Sequence, residues 1–263
     1  MDARRNDGTW LLRIEDLDPP RESISAPARI IDQLNAHHLH WDGDILYQSL
    51  RQDAYSAALD QLMQSGLAYP CDCTRKNTPA VYPGTCRDKP PGTVGKPHAF
   101  RLRVDTPMIS IEDHILGPQQ WRLGKDMGDF IIKRKDALFA YQLAVVVDDA
   151  FQHITHVVRG ADLLESTPGQ IYLAGRLNLP VPHYLHFPVV LGDSGDKLSK
   201  QTHAAPVSNH DAVNNLKHSL GFLGQQVPHR ATEIGKLVDE AIANWNVNAI
   251  PKRLAIAQFL RES

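Results

Sequence analysis

Apolar runs typical of buried strands alternate with amphipathic helical segments along most of the chain. Strands are expected at residues 10–14, 100–104, 130–133, 155–159 and 187–191. Helices are expected near 25–34 and 49–65, from the end of the fourth strand to 177, and near 216–223 and 234–245. This alternation predicts an α/β fold with a mainly parallel sheet, followed by a helical pattern from Asp211 to the end.

Composition and charge exclude several classes of protein. Hydrophobic residues make up 42% and charged residues 22% of the 263 residues, which is typical of a globular protein. No run of about 18 apolar residues is present, so no membrane is expected as a partner. A net charge of −2 excludes a protein that holds nucleic acid by bulk charge. A polar start without an apolar signal segment, together with only three cysteines, predicts a cytoplasmic location.

Residues 69–98 form an irregular segment that carries all three cysteines and six prolines. We interpret it as an insertion without a hydrophobic core of its own, which a zinc ion would stabilise. The ligands would be Cys71, Cys73 and Cys86, and chemistry alone favours His98 or a water as the fourth. Redox chemistry is the alternative, but the Cys-x-Cys spacing differs from the Cys-x-x-Cys of redox motifs.

A loop from Gly192 to Gln201 follows the last predicted strand and presents Lys197 and Lys200 on either side of Ser199. Ammonium groups on such a loop suit the charge that develops on a triphosphate during nucleotidyl transfer. The alternative for these residue types is an ordinary solvated turn.

Four segments resemble motifs of class I aminoacyl-tRNA synthetases of the glutamyl-tRNA synthetase group, and they occur in the same order. They are RIEDLDPPR at 13–21, YQLAVVVDD at 141–149, HVVRGADLL at 156–164, and KLSKQ at 197–201, a form of the KMSKS loop. The resemblance extends from Trp10 to at least Gln201. It implies a Rossmann-like class I catalytic core with an inserted zinc module and a short helical C-terminal extension.

Within this group the chain resembles the glutamyl-Q tRNA(Asp) synthetase family. Only 62 residues follow Gln201, too few for the anticodon-binding domains of a full-length glutamyl-tRNA synthetase. The cysteine segment and the KLSKQ form also disfavour a fragment of such an enzyme. The resemblance implies an enzyme that activates glutamate with ATP, together with Mg²⁺, without needing tRNA. It then transfers the glutamate to the queuosine at the wobble position of tRNA(Asp). We expect a monomer.

The resemblance assigns three residues to the binding of glutamate. Glu15, at the end of the first strand, would pair with the α-ammonium group, and the hydroxyl of Tyr141 would hydrogen-bond the substrate. Arg159 would hold the side-chain carboxylate, the natural partner of a guanidinium group. Residue types alone also allow a surface acid, a half-buried aromatic ring and, for Arg159, an ion pair with Asp148 or Asp162.

The remaining roles concern ATP and zinc. The residues assigned to ATP are Lys197, Leu198, Ser199, Lys200 and Gln201. Lys200 would be the catalytic residue, because it would contact the phosphates. For zinc, the resemblance replaces His98 with Tyr82 as the fourth ligand, through the pattern Tyr-x-x-x-Cys that ends at Cys86.

The related family carries an Arg-x-Ala-Pro-Ser stretch and a HIGH motif before its RIEDLD strand, and this sequence contains neither. We therefore expect an N-terminally truncated core. The expected divisions are the remainder of the nucleotide-binding fold (1–68), the zinc insertion (69–98), an acceptor-like insertion with the second half of the catalytic fold (99–205), and the C-terminal extension (206–263). The alternative function is a catalytically inactive truncated relative that binds zinc and either tRNA or an amino acid.

Overall fold

The computed structural model describes residues 1–20, 22–74, 76, 78–89, 97–105, 107–192, 195–198 and 205–257. Its helices are α1 Asp2–Arg5, α2 Ala26–Ala36, α3 Gln52–Gln64, α4 Leu123–Asp126, α5 Tyr141–Phe151, α6 Thr167–Leu177, α7 Ala212–Phe222 and α8 Ile234–Ala243. Its strands are β1 Arg13–Ile14, β2 Leu46–Tyr47, β3 Ala68–Cys71, β4 Ala99–Leu102, β5 Met108–Asp113, β6 Gly117–Arg122, β7 Ile131–Lys133, β8 His156–Gly160, β9 His183–Phe187, β10 Val189–Leu191 and β11 Ala255–Ala257.

The described strands form several small sheets instead of one continuous sheet. Three sheets are parallel pairs, β1 with β2, β8 with β9, and β10 with β11. The strands β3, β4 and β7 form an antiparallel sheet, and β5 and β6 form an antiparallel hairpin. The mixed α/β character was predicted. The prediction of a mainly parallel sheet is wrong for the strands from β3 to β7, which pair antiparallel. Apolar periodicity does not determine strand direction. Within the described part of residues 72–130, no long helix separates the strands, so antiparallel pairing is open to them.

Two predicted strands have different limits in the structure. The run 10–14 contains only the two-residue strand β1, although the carbonyls of Trp10 and Leu12 still accept hydrogen bonds from the backbone of the β2 region. The run 187–191 is divided between β9 and β10 at Pro188. Proline has no N–H to donate to a neighbouring strand, so the ladder stops there.

Helices α3, α5 and α6 pack against one another and against the sheet of β3, β4 and β7. Their contact faces are fully buried at Leu62, Leu143 and Leu173, as are Leu102 and Ile132 on the sheet. Burial of such aliphatic side chains is the main stabilising contribution to a core of this kind. The packing holds the first turns of α5 and α6 beside β8.

The C-terminal helices α7 and α8 enclose a second, smaller core. The indole Nε1 of Trp245 donates to Asp2 at 2.9 Å, which joins this region to α1. The predicted helices are present, but the helical pattern expected to the end of the chain is interrupted by β11, which pairs with β10. Within the described residues, no helix has the length and apolar character needed to cross a bilayer.

Candidate active site

Arg159 occupies the centre of a polar cluster where β8, β9 and the first turns of α5 and α6 meet. Its Nε donates to Nε2 of His186 at 3.0 Å, and its Nη1 donates to the hydroxyl of Tyr141 at 3.3 Å. Its Nη2 donates to the hydroxyl of Thr167 at 2.8 Å and to the carbonyl of Leu163 at 3.4 Å. The guanidinium group is therefore held in one orientation by contacts to three separate elements.

The alternative ion pairs for Arg159 are not formed. Asp148 is fully buried and accepts instead from Arg51 Nε at 2.5 Å and from the hydroxyl of Tyr55 at 2.6 Å. Asp162 pairs with Lys197. Neither carboxylate forms an ion pair with Arg159, although the charge of Arg159 does act on Asp149 and opposes the rise that burial causes in its pKa.

Arg159 also retains a hydrogen-bond donor that points to no described acceptor. A guanidinium group has five N–H donors. The four contacts above engage Nε, both positions of Nη2 and one position of Nη1. Among the described residues, Nη1 donates to the hydroxyl of Tyr141, so one of its two hydrogens is left for a ligand.

Tyr141 is the first residue of α5 and brings its hydroxyl to Arg159. The resemblance assigned both residues to the binding of glutamate. Burial raises the pKa of Tyr141; the positive charge of Arg159 lowers it, and the charge of Glu15 raises it again. The hydroxyl therefore keeps its proton at neutral pH. Because it accepts from Arg159, it is free to donate that proton to a ligand oxygen.

Glu15 follows β1, and its side chain is 42% exposed. Its carboxylate contacts Nη2 of Arg13 at 3.3 Å, and its negative charge raises the pKa of Tyr141. Arg13 also pairs with Asp149 at 2.8 Å. Burial raises the pKa of Asp149, and Arg13 opposes this shift. Glu15 thus lies near the Tyr141–Arg159 pair, with a carboxylate that reaches solvent.

The loop assigned to ATP is described only in part. The backbone N–H of Leu198 donates to Val190 of β10 at 3.0 Å, and Lys197 pairs with Asp162, two residues after β8. These contacts bring the first two residues of the KLSKQ segment beside β10 and the end of β8. Ser199, Lys200 and Gln201 lie outside the described residues, so the predicted catalytic role of Lys200 stays a prediction.

Sequence reasoning missed a buried pair behind Arg159. Nδ1 of His186 lies 2.6 Å from Oδ2 of Asp113, and both side chains are fully buried. Burial opposes ionisation of Asp113, but hydrogen bonds from His186 and from the backbone N–H groups of Leu116 and Ile115 hold its pKa below its usual value. Neither residue lies in a strand that the sequence predicts, and nothing in the sequence joins the two.

A second residue missed by sequence reasoning is Gln170, three residues after Thr167 on α6. Its side chain is 3% exposed, and its amide nitrogen has no hydrogen-bond partner. The amide lies close enough to Tyr141 to lower the pKa of its hydroxyl, although it completes no hydrogen bond with it. A buried donor without a partner is unfavourable, and a ligand oxygen beside Tyr141 would satisfy it.

The three cysteines converge on one point, as the zinc prediction requires. Their sulfur atoms all lie within 4.8 Å of one another, and Cys73 and Cys86 are 3.5 Å apart. The hydroxyl of Tyr82 lies 3.5 Å from the sulfur of Cys71 and 3.4 Å from that of Cys73. A tetrahedral site with zinc–sulfur bonds of about 2.3 Å has edges of roughly 3.5–3.8 Å. The four residues therefore fit a zinc ion.

His98, the other candidate for the fourth ligand, does not join this group. Its Nδ1 pairs with the carboxylate of Asp72. The group of possible metal ligands found among the described histidines, cysteines and acids contains the three cysteines alone. The arrangement favours Tyr82, the residue that the resemblance pointed to.

The cysteine cluster is attached to the body of the protein through Arg101 and Asp129. Arg101 donates to the sulfur of Cys71 at 3.3 Å and to the backbone carbonyl of Asp129 at 2.6 Å. Burial raises the pKa of Cys71, but hydrogen bonds from Tyr82, the backbone of Cys73 and Arg101 lower it to about 7. Deprotonation near neutral pH is what a metal-binding thiol requires.

The insertion is better packed than expected. Tyr69, Cys71 and Tyr82 are buried against one another, so the prediction that this segment lacks a core of its own is wrong at this point. Gly128 makes the close packing possible. It has φ of +66°, and a Cβ atom there would lie 2.5 Å from the carbonyl oxygen of Tyr82.

The family model for "tRNA synthetases class I (E and Q), catalytic domain" matches residues 1–79 and 88–223. A curated relative from Thiobacillus denitrificans, named glutamyl-Q tRNA(Asp) synthetase, is 46% identical over 270 residues, covering 98% of this chain and 89% of the relative. A relative of the same name from Chromobacterium violaceum is 45% identical over 261 residues, covering 95% of this chain and 87% of its own length.

Two solved structures share the fold. A glutamate tRNA ligase from Elizabethkingia meningosepticum, in complex with its amino acid, has a TM-score of 0.80 at 21% identity, over 97% of this chain and 61% of that one. The glutamate-tRNA synthetase of Elizabethkingia anophelis has a TM-score of 0.81 at 21% identity, over 99% and 63%. This chain thus spans less than two thirds of these solved chains. Together with the family match and the close relatives, they show that the chain belongs to the class I tRNA synthetases (E and Q), with their catalytic fold, and within them to the glutamyl-Q tRNA(Asp) synthetase family of ligases.

Proposed function

We propose that this chain activates glutamate with ATP in the absence of tRNA and transfers it to the queuosine at the wobble position of tRNA(Asp). The names of its relatives support this substrate class. The observation that carries the proposal is the pairing of Arg159 with Tyr141 at 3.3 Å. It would present a guanidinium group that lacks a direct carboxylate partner among the described residues, together with a phenolic O–H, to one ligand.

Selection of glutamate follows from the charge at this pair. A charge-assisted hydrogen bond between guanidinium and carboxylate is about twice as strong as a bond to a neutral group. The amide of glutamine offers Arg159 a weaker acceptor and also brings donors of its own. Arg159 therefore favours glutamate over glutamine.

The opposite end of the amino acid would be recognised by negative charge. Glu15 is exposed and close to Tyr141, and in the absence of ligand its partner is Arg13. The α-ammonium group of glutamate would form an ion pair with the carboxylate of Glu15. Arg13 would keep its ion pair with Asp149.

ATP would bind on the side of the KLSKQ segment. In the activation step an oxygen of the α-carboxylate of glutamate attacks the α-phosphorus of ATP, and pyrophosphate leaves. Lys197 and Lys200 would stabilise the charge that develops on the phosphates, together with Mg²⁺. The pair between Lys197 and Asp162 supports this placement, because it brings the segment next to the strand that carries Arg159.

We also propose that Cys71, Cys73, Cys86 and Tyr82 hold one zinc ion. The support is the fit of their separations to a tetrahedral site. When bound, zinc would link the two ends of the insertion and so stabilise it, as structural zinc does in segments with little core.

The activation step is tested by ATP–pyrophosphate exchange with L-glutamate, L-glutamine or L-aspartate, each without tRNA. We expect exchange with glutamate only. Equal exchange with glutamine would contradict the role of Arg159, and exchange that requires tRNA would contradict tRNA-independent activation. Binding of glutamate and zinc without exchange would favour the alternative, a catalytically inactive relative.

A further inference from the structure

We propose that Asp113 and His186 are positioning residues that orient Arg159 for a carboxylate ligand, through the tautomer of His186. The three side chains form a continuous hydrogen-bonded row from the end of β5, through β9, to β8. The inference rests on the glutamate site proposed above, because Arg159 is the residue in that row that would touch the substrate.

The two oxygens of Asp113 have different partners. Oδ1 accepts from three backbone N–H groups, those of Ile115 at 3.0 Å, Leu116 at 2.9 Å and His186 at 3.3 Å. Oδ2 faces Nδ1 of the His186 ring at 2.6 Å. An ionised carboxylate only accepts hydrogen bonds, and the pKa of Asp113 is lowered, so the proton of this bond belongs to Nδ1.

The position of that proton determines what the other ring nitrogen does. When Nδ1 carries the proton in a neutral imidazole, Nε2 is an acceptor. Nε2 faces Nε of Arg159 at 3.0 Å and the hydroxyl of Thr167 at 3.2 Å. A guanidinium nitrogen only donates, so Nε2 must accept for the bond to Arg159 to form. Asp113 thus fixes the tautomer in which His186 accepts from Arg159.

The row is suited to orienting Arg159 because it is dry. The side chains of Asp113 and His186 are 0% exposed, so water does not replace either hydrogen bond. The bond at Nε fixes the plane of the guanidinium group, which turns Nη1 toward Tyr141. In metal sites, removing a carboxylate that orients a ligating histidine lowers metal affinity or activity by about ten- to a hundredfold. We expect a similar effect on the affinity for a ligand held by a guanidinium group.

The substitution Asp113→Asn separates this role from the structural role of Asp113 in the hairpin turn. Three backbone donors hold the Oδ1 position as an oxygen, so the new amide nitrogen must take the place of Oδ2. It would donate to Nδ1 of His186, which forces the ring proton onto Nε2. That N–H would then face the N–H of Arg159 at about hydrogen-bond distance, where two donors repel each other. It would turn to the hydroxyl of Thr167 as its acceptor, and Arg159 would lose its bond at Nε.

The experiment uses the full chain, Asp113→Asn and the control Glu112→Gln, an exposed acid on the same strand. Long-range proton–nitrogen correlation spectra report the tautomer of His186, and His186→Gln identifies its signal among the thirteen histidines. Calorimetry measures the Kd of L-glutamate and of ATP. We expect a proton on Nδ1 in the unaltered chain and on Nε2 in Asp113→Asn, with a Kd for glutamate raised about tenfold or more and little change for ATP.

A second pair of variants covers the case in which Asp113→Asn does not fold. His186→Gln keeps a carbonyl acceptor within reach of Arg159, whereas His186→Leu has none, so glutamate should bind more tightly to the first. An unchanged tautomer or Kd for glutamate in Asp113→Asn, or equal binding by the two His186 variants, would overturn the positioning role. Failure of the unaltered chain to bind glutamate would instead overturn the proposed function, and this inference with it.

Discussion

Lys197 pairs with Asp162, and this contact ties the segment assigned to ATP to the end of the strand that carries Arg159. Asp162 lies three residues after Arg159 in the chain. The amino-acid site and the nucleotide segment therefore share one support. Since adenylate formation requires the carboxylate of one substrate to reach the phosphorus of the other, such a shared support favours correct positioning.

The first prediction concerns this pair. Asp162→Asn should raise the KM for ATP by less than about fivefold, because partly exposed ion pairs contribute only about 0–1 kcal/mol. The KM for glutamate should change little, since Asp162 does not contact Arg159. ATP–pyrophosphate exchange at varied ATP and glutamate measures both. A larger effect on glutamate than on ATP would contradict this assignment.

Removing the guanidinium group should affect glutamate selectively. Arg159→Ala loses a charge-assisted pair worth about 1.5–3 kcal/mol, which is a tenfold to hundredfold weaker binding of glutamate. Arg159→Lys should restore little of this, because an ammonium group does not reproduce the bonds to His186, Tyr141 and Thr167. Calorimetric titration with glutamate and with ATP measures the two affinities.

The matched control for these variants is Lys236→Ala, which removes an exposed cation of α8. It should leave both affinities unchanged. A parallel loss of ATP affinity in Arg159→Ala, with glutamate affected no more, would show that Arg159 acts on the whole site and not on the side-chain carboxylate.

The zinc proposal predicts about one zinc ion per chain in protein purified without chelator. Tyr82→Phe should weaken zinc binding while keeping the ring over which Arg101 lies at 3.9 Å. Cys86→Ser should weaken zinc binding more strongly, because a thiolate ligand is lost. Metal analysis and competition with a chromophoric chelator give the content and affinity.

The control for the zinc variants is His98→Ala, which should retain zinc because His98 pairs with Asp72 instead. Purified protein that contains no metal, with three freely titrating thiols and a Tm insensitive to added zinc, would contradict the proposal. Loss of zinc in His98→Ala with retention in Tyr82→Phe would reverse the choice of fourth ligand.

The Asp113–His186 pair predicts a specific dependence of stability on pH. The pKa of Asp113 is lowered from 3.8, so its contribution to folding is complete above that value and is lost as the pH falls through the lower folded value. Asp113→Asn lacks this titration. Urea unfolding between pH 7 and about pH 3 measures the free energy of unfolding of both proteins. The excess of the unaltered chain over the variant should shrink at the acid end of this range. A constant difference across this range would contradict the lowered pKa.

Local motifs predicted much of the candidate site. The resemblance assigned Tyr141 and Arg159 to the same ligand, and the two side chains are in contact although they are 18 residues apart. The clustering of Cys71, Cys73 and Cys86 in one short segment predicted that their sulfur atoms converge. The helix predicted over residues 49–65 contains α3, and the predicted end of α6 at 177 is confirmed. The start of α6 was predicted too early, because a 3-10 helix at Ala161–Ser166 precedes it.

The parts that could not be predicted depend on contacts between distant segments. Asp113 and His186 are 73 residues apart, and each alone is an ordinary polar residue in a strand. The pairing of β10 with β11 joins residues in separate predicted divisions of the chain. Strand direction likewise depends on which edges meet, which apolar periodicity does not encode.

The most direct test of the central claim is the transfer of radiolabelled glutamate to tRNA(Asp) that carries queuosine, beside the same tRNA without it. We predict that label becomes attached to the tRNA with queuosine only, that attachment requires ATP, and that Arg159→Ala abolishes most of it. Equal labelling of both tRNAs, or labelling at the 3′ end instead of the wobble position, would contradict the proposed function.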